Sequence, residues 1–82
     1  MAQLLFFGRL GDLAGGTERA LGLSEPHSIG DLIGILAQTD NLLGSALAEP
    51  RIRYAINGAI VDTDALVEDE DEVAFLPPVS GG

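Results

Sequence analysis

Ile29, Leu32, Ile33 and Leu36 fall at i, i+3, i+4 and i+7, a single apolar stripe at helical spacing. Ser28 stands before them as an N-cap, and Asp31 suits the positive end of the helix that would follow. This is the clearest helix in the chain, and it needs an apolar surface to lie on. With 82 residues the chain has room for one core, so that surface must come from the segments on either side. Gly30 and Gly34 interrupt the helix at about 1 kcal/mol each relative to alanine, which leads us to expect close packing on a sheet.

The flanking segments read as strands. Residues 2–7 carry the unbroken run Leu4-Leu5-Phe6-Phe7, a buried strand. Residues 9–14 make a short helical turn stopped by Gly15-Gly16, and residues 18–23 make a second strand with Leu21 and Leu23 on one face. Pro26 ends that stretch, and residues 42–47 suggest another helical turn before Pro50. Residues 53–56 and 59–61 form a hairpin across Asn57-Gly58, a pair suited to positive φ. Glu68-Asp69-Glu70-Asp71 reads as a solvated turn, followed by a last strand over residues 72–76.

Strands before and after one dominant helix imply an α+β fold, a mixed sheet packed against that helix. A right-handed first crossover leaves the terminal strands inside the sheet. This is the β-grasp, or ubiquitin-like, arrangement. We place the folded domain at residues 1–76 and an extended, flexible C-terminal Gly-Gly tail at residues 77–82.

Composition removes several functions. The net charge of −9 disfavours nucleic acid and anionic membranes, and suits a basic protein partner. No apolar run is long enough to span a bilayer, and the N-terminus lacks the basic flank of a signal peptide, so a cytoplasmic location is expected. There is no cysteine, hence no thiolate metal site and no cysteine to hold a persulfide. There is no lysine to accept a carboxylate-linked modifier. His27 is the lone histidine, the acidic run lacks calcium-loop spacing, and Gly15-Gly16 is not followed by the residues of a phosphate loop.

The tail is different. Pro77 and Pro78 cannot extend a β-ladder, and Gly81 and Gly82 let a narrow channel close on bare backbone. The reactive group at the tip is the carboxylate of Gly82. Two small residues at a frayed end would look the same, so the context has to decide.

That context is the stretch Asp71-Glu72-Val73-Ala74-Phe75-Leu76-Pro77-Pro78-Val79-Ser80-Gly81-Gly82, which resembles the C-terminal signature of molybdopterin synthase small subunits. Leu5-Phe6-Phe7 with Leu10 and Leu13, and the turn at Asn57, are similar to the same family. The resemblance implies a non-catalytic sulfur carrier of molybdenum cofactor biosynthesis. An adenylyltransferase of the ubiquitin-activating type, using ATP and Mg²⁺, would adenylate Gly82. A sulfur donor would convert it to a thiocarboxylate, and the large subunit would receive the tail and supply the catalytic residues. The chain itself would bind no cofactor and no metal. Gly81 and Gly82 would be the reacting end, with Phe75, Pro77, Pro78, Val79 and Ser80 against the partner. Of Phe6, Phe7 and Phe75, one or two should be core. Carriers for thiamine synthesis or tRNA thiolation, and ubiquitin-like modifiers, share the Gly-Gly chemistry and remain alternatives.

Overall fold

Ser28 opens the main helix as its sequence demands: its backbone is extended and its Oγ accepts from the Asp31 amide at 3.0 Å. The computed structural model describes residues 1–78, and Val79, Ser80, Gly81 and Gly82 lie outside the described residues. In chain order the elements are β1 (Ala2–Phe6), α1 (Arg9–Ala14), β2 (Glu18–Leu21), β3 (His27–Ser28), α2 (Ile29–Thr39), α3 (Asn41–Leu47), β4 (Arg53–Ile56), β5 (Ala59–Val61), β6 (Leu66–Val67) and β7 (Glu72–Leu76).

Five strands form one sheet in the order β2-β1-β7-β4-β5. The two terminal strands, β1 and β7, pair in parallel at its centre, with Phe6 opposite Phe75. The other pairings, β1 with β2, β7 with β4 and β4 with β5, are antiparallel. One face carries the core. Leu4, Phe6, Val73, Phe75 and Tyr54 from the strands pack with Ile29, Leu32, Leu36, Leu43 and Leu47 from α2 and α3. This is the mixed sheet and covering helix of a β-grasp, with the terminal strands interior as expected.

Aromatic side chains fix the centre. Phe6 and Phe75 stack with centroids 5.4 Å apart, and Tyr54 meets Phe75 edge-on at 6.0 Å. The Tyr54 hydroxyl donates to the Leu47 carbonyl at 2.6 Å, joining β4 to the end of α3, and burial raises its pKa.

Several details differ from the sequence reading. The glycine that permits close helix packing is Gly44, not Gly30 or Gly34. A Cβ on Gly44 would lie 2.8 Å from the Ala37 Cα, so α3 rests directly on α2 there, whereas Gly34 has no neighbour within 4 Å. The second strand ends at Leu21, because the Leu23 amide turns to donate to Asp69 at 2.8 Å. A small second sheet, β3 with β6, was not expected. It holds the start of α2, where the Ile29 and Gly30 amides donate to the Ala65 and Thr63 carbonyls.

The acidic turn is more than a solvated loop. Asp71 accepts from the Asn57 side chain and from the Glu68 amide, both at 2.8 Å. Asn57, at φ 50° beside Gly58 at φ 86°, in turn accepts from the Glu72 amide at 2.9 Å. The Asn-Gly turn thus clamps the start of β7. The Glu68 amide, and then the Asn57 side chain, hold the Asp71 carboxyl below the usual range; for Asp69 the causes are the Leu23 amide and then the N-terminal ammonium, 3.3 Å away.

Candidate functional site

The site is the place where β7 leaves the sheet. The Phe7 amide donates to the Phe75 carbonyl at 3.2 Å, and Leu76 still faces Arg53 across the ladder. Pro77 and Pro78 follow with no N–H to continue it, so a central strand is forced out of its sheet at this point. Gly8, at φ +56°, makes the exit possible: a Cβ there would sit 3.0 Å from the Pro77 Cγ. Sequence reasoning missed Gly8, since its role depends on β1 lying beside β7.

Pro77 and Pro78 are half-buried at the root of the tail. They border two clefts. One, of about 140 Å³, is lined by Arg9, Glu49, Arg51, Ile52 and Pro78. The other, of about 390 Å³, is lined by Pro50, Arg51, Arg53, Pro77 and Pro78.

The sheet face turned away from the helices runs up to the same root. Side chains alternate along a strand, and Phe6 and Phe75 point into the core, so their neighbours occupy the outer face. The pairing register aligns Glu18, Leu5, Ala74, Ala55 and Ile60 in one row across that face. Arg53 and Leu76 form the next row, nearer the tail, with Phe7 beyond them at the end of β1. Phe7 is 46% exposed and Ile60 62%. A shallow apolar hollow lies along this side, lined by Leu5, Phe6, Phe7, Gly8, Thr17 and Glu18.

This corrects the assignment of Phe75. Its side chain is 0% exposed, held between Phe6 and Tyr54, so it supports the tail strand from within and offers no outward contact. The exposed phenylalanine beside the tail is Phe7, and Ile60 was not singled out at all. The expected partner residues Pro77 and Pro78 are at the root, while Val79, Ser80, Gly81 and Gly82 fall outside the described residues.

Nothing else among the described residues competes as a reactive centre. His27 is half-buried in β3, and no group of three or more possible metal ligands occurs among the described residues. Among the described residues, no helix is long and apolar enough to cross a membrane.

The whole molecule matches known proteins. A family profile described as the ThiS family matches residues 4–82. The molybdopterin synthase sulfur carrier subunit of Escherichia coli is 33% identical over 82 residues, covering all of both chains. Among solved structures, SAMP1 of Haloferax volcanii superposes with a TM-score of 0.84 at 24% identity, covering 99% of this chain and 98% of that one. A putative molybdopterin converting factor subunit 1 of Pyrococcus furiosus gives 0.79 at 26% identity, covering 95% and 97%. A profile match from the first strand through the Gly-Gly end, with a full-length relative above 30% identity, decides the assignment: this chain belongs to the ThiS family.

Proposed function

We propose that this chain is the sulfur carrier of a molybdopterin synthase, carrying sulfur as a thiocarboxylate on Gly82. The observation that supports this most is the end-to-end match to a molybdopterin synthase sulfur carrier subunit, whose full length aligns with this chain through Gly82. The fold is consistent with it, because the central strand β7 leads directly to Pro77 and Pro78 at the root of the tail.

The chemistry follows from the group at the tip. A carboxylate is a poor electrophile, so it must first react with ATP, releasing pyrophosphate and leaving an acyl adenylate. The terminal sulfur of a donor's persulfide then attacks the acyl carbon and AMP leaves, giving an acyl disulfide. A thiol outside this chain, which has no cysteine, cleaves its S–S bond, releasing the thiocarboxylate and leaving with the donor as a disulfide. Its sulfur is a far better nucleophile than the oxygen it replaces. The adenylation belongs to a partner adenylyltransferase with its own ATP and Mg²⁺; this chain supplies the carboxylate and binds no cofactor. The loaded tail enters the large subunit, which gives catalysis, and transfers sulfur to a cyclic pyranopterin monophosphate. Two deliveries complete the dithiolene.

The chain's own contribution is reach and order. Residues 77–82 extended span about 20 Å, enough to enter a buried pocket. Two consecutive prolines restrict the free tail and so reduce the entropy lost on insertion. The apolar outer face with Phe7, Leu76 and Ile60 gives the large subunit a surface to rest on beside the tail.

Reconstitution tests this reading. The loaded chain, the large subunit and the pterin should yield molybdopterin, with two loaded chains consumed for each product. Failure of transfer, together with isopeptide-linked conjugates captured from extract, would instead identify a protein modifier.

A further inference from the structure

We propose that the protein receiving the tail presents a carboxylate-bearing rim around the entrance to its pocket, and that Arg51 and Arg53, with Arg9 beside them, dock on that rim. The proposal rests on the reading that the tail enters a partner, and it deepens it by giving that partner's charge pattern.

The chain has thirteen acidic residues and four arginines. One arginine is occupied within the fold: Arg19 donates to the Ala14 carbonyl at 2.7 Å and lies 5.7 Å above the Phe6 ring. The other three all line the two clefts at the tail root. All three are exposed, and among the described residues none is paired with a carboxylate. Glu49 shares a cleft with Arg9 and Arg51 without forming an ion pair. The ion pair that does form among the described residues, Met1 with Asp69, lies at the other end of β7, beside the run Glu68–Glu72.

Arg9, Arg51 and Arg53 all border these clefts, and Glu49 is the single carboxylate among the residues that line them. A collar of this kind is left for an external counter-charge. Carboxylates fit it best, because the planar guanidinium fork pairs with them through two parallel bonds.

The collar and the tip therefore ask for opposite surroundings. Gly82 lies four residues beyond Pro78, about 13 Å along an extended chain. A basic pocket for the carboxylate and the phosphorylated pterin is compatible with an acidic rim that far above it. Overall acidity and local recognition then have different signs, which makes them separable.

The test is association kinetics of the full chain with the large subunit across a salt series. Arg51→Glu/Arg53→Glu should slow association roughly tenfold or more at low salt, with thermal stability unchanged, since both side chains are exposed. Arg51→Lys/Arg53→Lys should keep the association rate and dissociate several-fold faster, having lost the fork. Glu68→Arg/Glu70→Arg, at the far end of β7, should leave association near wild type. If charge reversal at the collar leaves the rate unchanged or raises it, or if the far-end variant is the one that slows, the rim proposal is overturned while the carrier reading stands. If the wild-type chain does not bind the large subunit at all, the carrier reading falls and the rim proposal with it. Concentration-dependent self-association abolished by Glu68→Arg/Glu70→Arg would show that the collar pairs with a second copy, and would also overturn the proposal.

Discussion

Where β7 begins, Asn57, Asp69 and Asp71 bind the chain through side-chain hydrogen bonds; where it ends, two prolines carry no N–H with which to extend the ladder. About 16 Å of one central strand separates these ends. The first end is acidic and closed on itself, with its charges used to hold the turn, the hairpin and the N-terminus together. The second is basic and open, with three arginines and an exposed phenylalanine. The difference teaches that one strand can be locked in the sheet and still release its continuation, provided the lock is at the opposite end and a glycine clears the exit.

The largest effect should come from the open end. Gly81→Val puts a branched side chain where a channel must close on the backbone, and it restricts φ as well. Sulfur loading or transfer should be lost while the melting temperature stays within experimental error. Normal transfer by this variant would mean the tail is not threaded through a narrow passage.

Two phenylalanines next divide folding from recognition. Phe75→Ala removes a ring buried between Phe6 and Tyr54 and should cost about 3–5 kcal/mol in chemical denaturation. Phe7→Ala should change stability by no more than about 0.5 kcal/mol, yet weaken large-subunit binding by about 1 kcal/mol or more. The reverse pattern would place the contact surface on the wrong face of the sheet.

The smallest effect concerns the locked end. Asp69 and Asp71 titrate below the ordinary carboxylate value of 3.8 in the folded chain. Their stabilisation is therefore fully present above the unfolded value and is lost as pH falls through the lowered folded values. The melting temperature should hold from neutral pH down to about pH 5 and fall below about pH 4. Asp71→Asn should start from a lower melting temperature and show a shallower acid limb, whereas Glu70→Gln, whose side chain has no such bonds, should retain the wild-type limb. Identical limbs in wild type and Asp71→Asn would remove Asp71 from the lock.

Much of this fold was legible because local signals agreed with one another. The Ser28 cap, the stripe from Ile29 to Leu36 and the Asn57-Gly58 turn each state their structure in a few residues. The face of each strand was not legible. Leu4-Leu5-Phe6-Phe7 and Val73-Ala74-Phe75-Leu76 are apolar throughout, so alternation could not say which phenylalanine points inward. The register of β1 against β7 puts Phe6 and Phe75 on one face, and the helices that cover that face make Phe75 core and leave Phe7 exposed. The β3–β6 pair was invisible for another reason: two residues on each side carry no period. The arginines escaped notice because Arg9 and Arg51–Arg53 are distant in sequence and meet only when β1 and β4 flank β7. In the tail, Pro77, Pro78, Gly81 and Gly82 were read from their covalent chemistry together with the family resemblance of the stretch they end, and the described residues account for the first two by showing the exit they make.

The central claim is that the sulfur rides on Gly82. Intact mass after incubation with ATP, the adenylyltransferase and a sulfur donor tests it most directly. The chain should gain the mass of one oxygen-to-sulfur exchange, and fragmentation should place that exchange on the last residue. An unchanged mass under conditions that load an established carrier, or sulfur located at any other residue, would contradict the account.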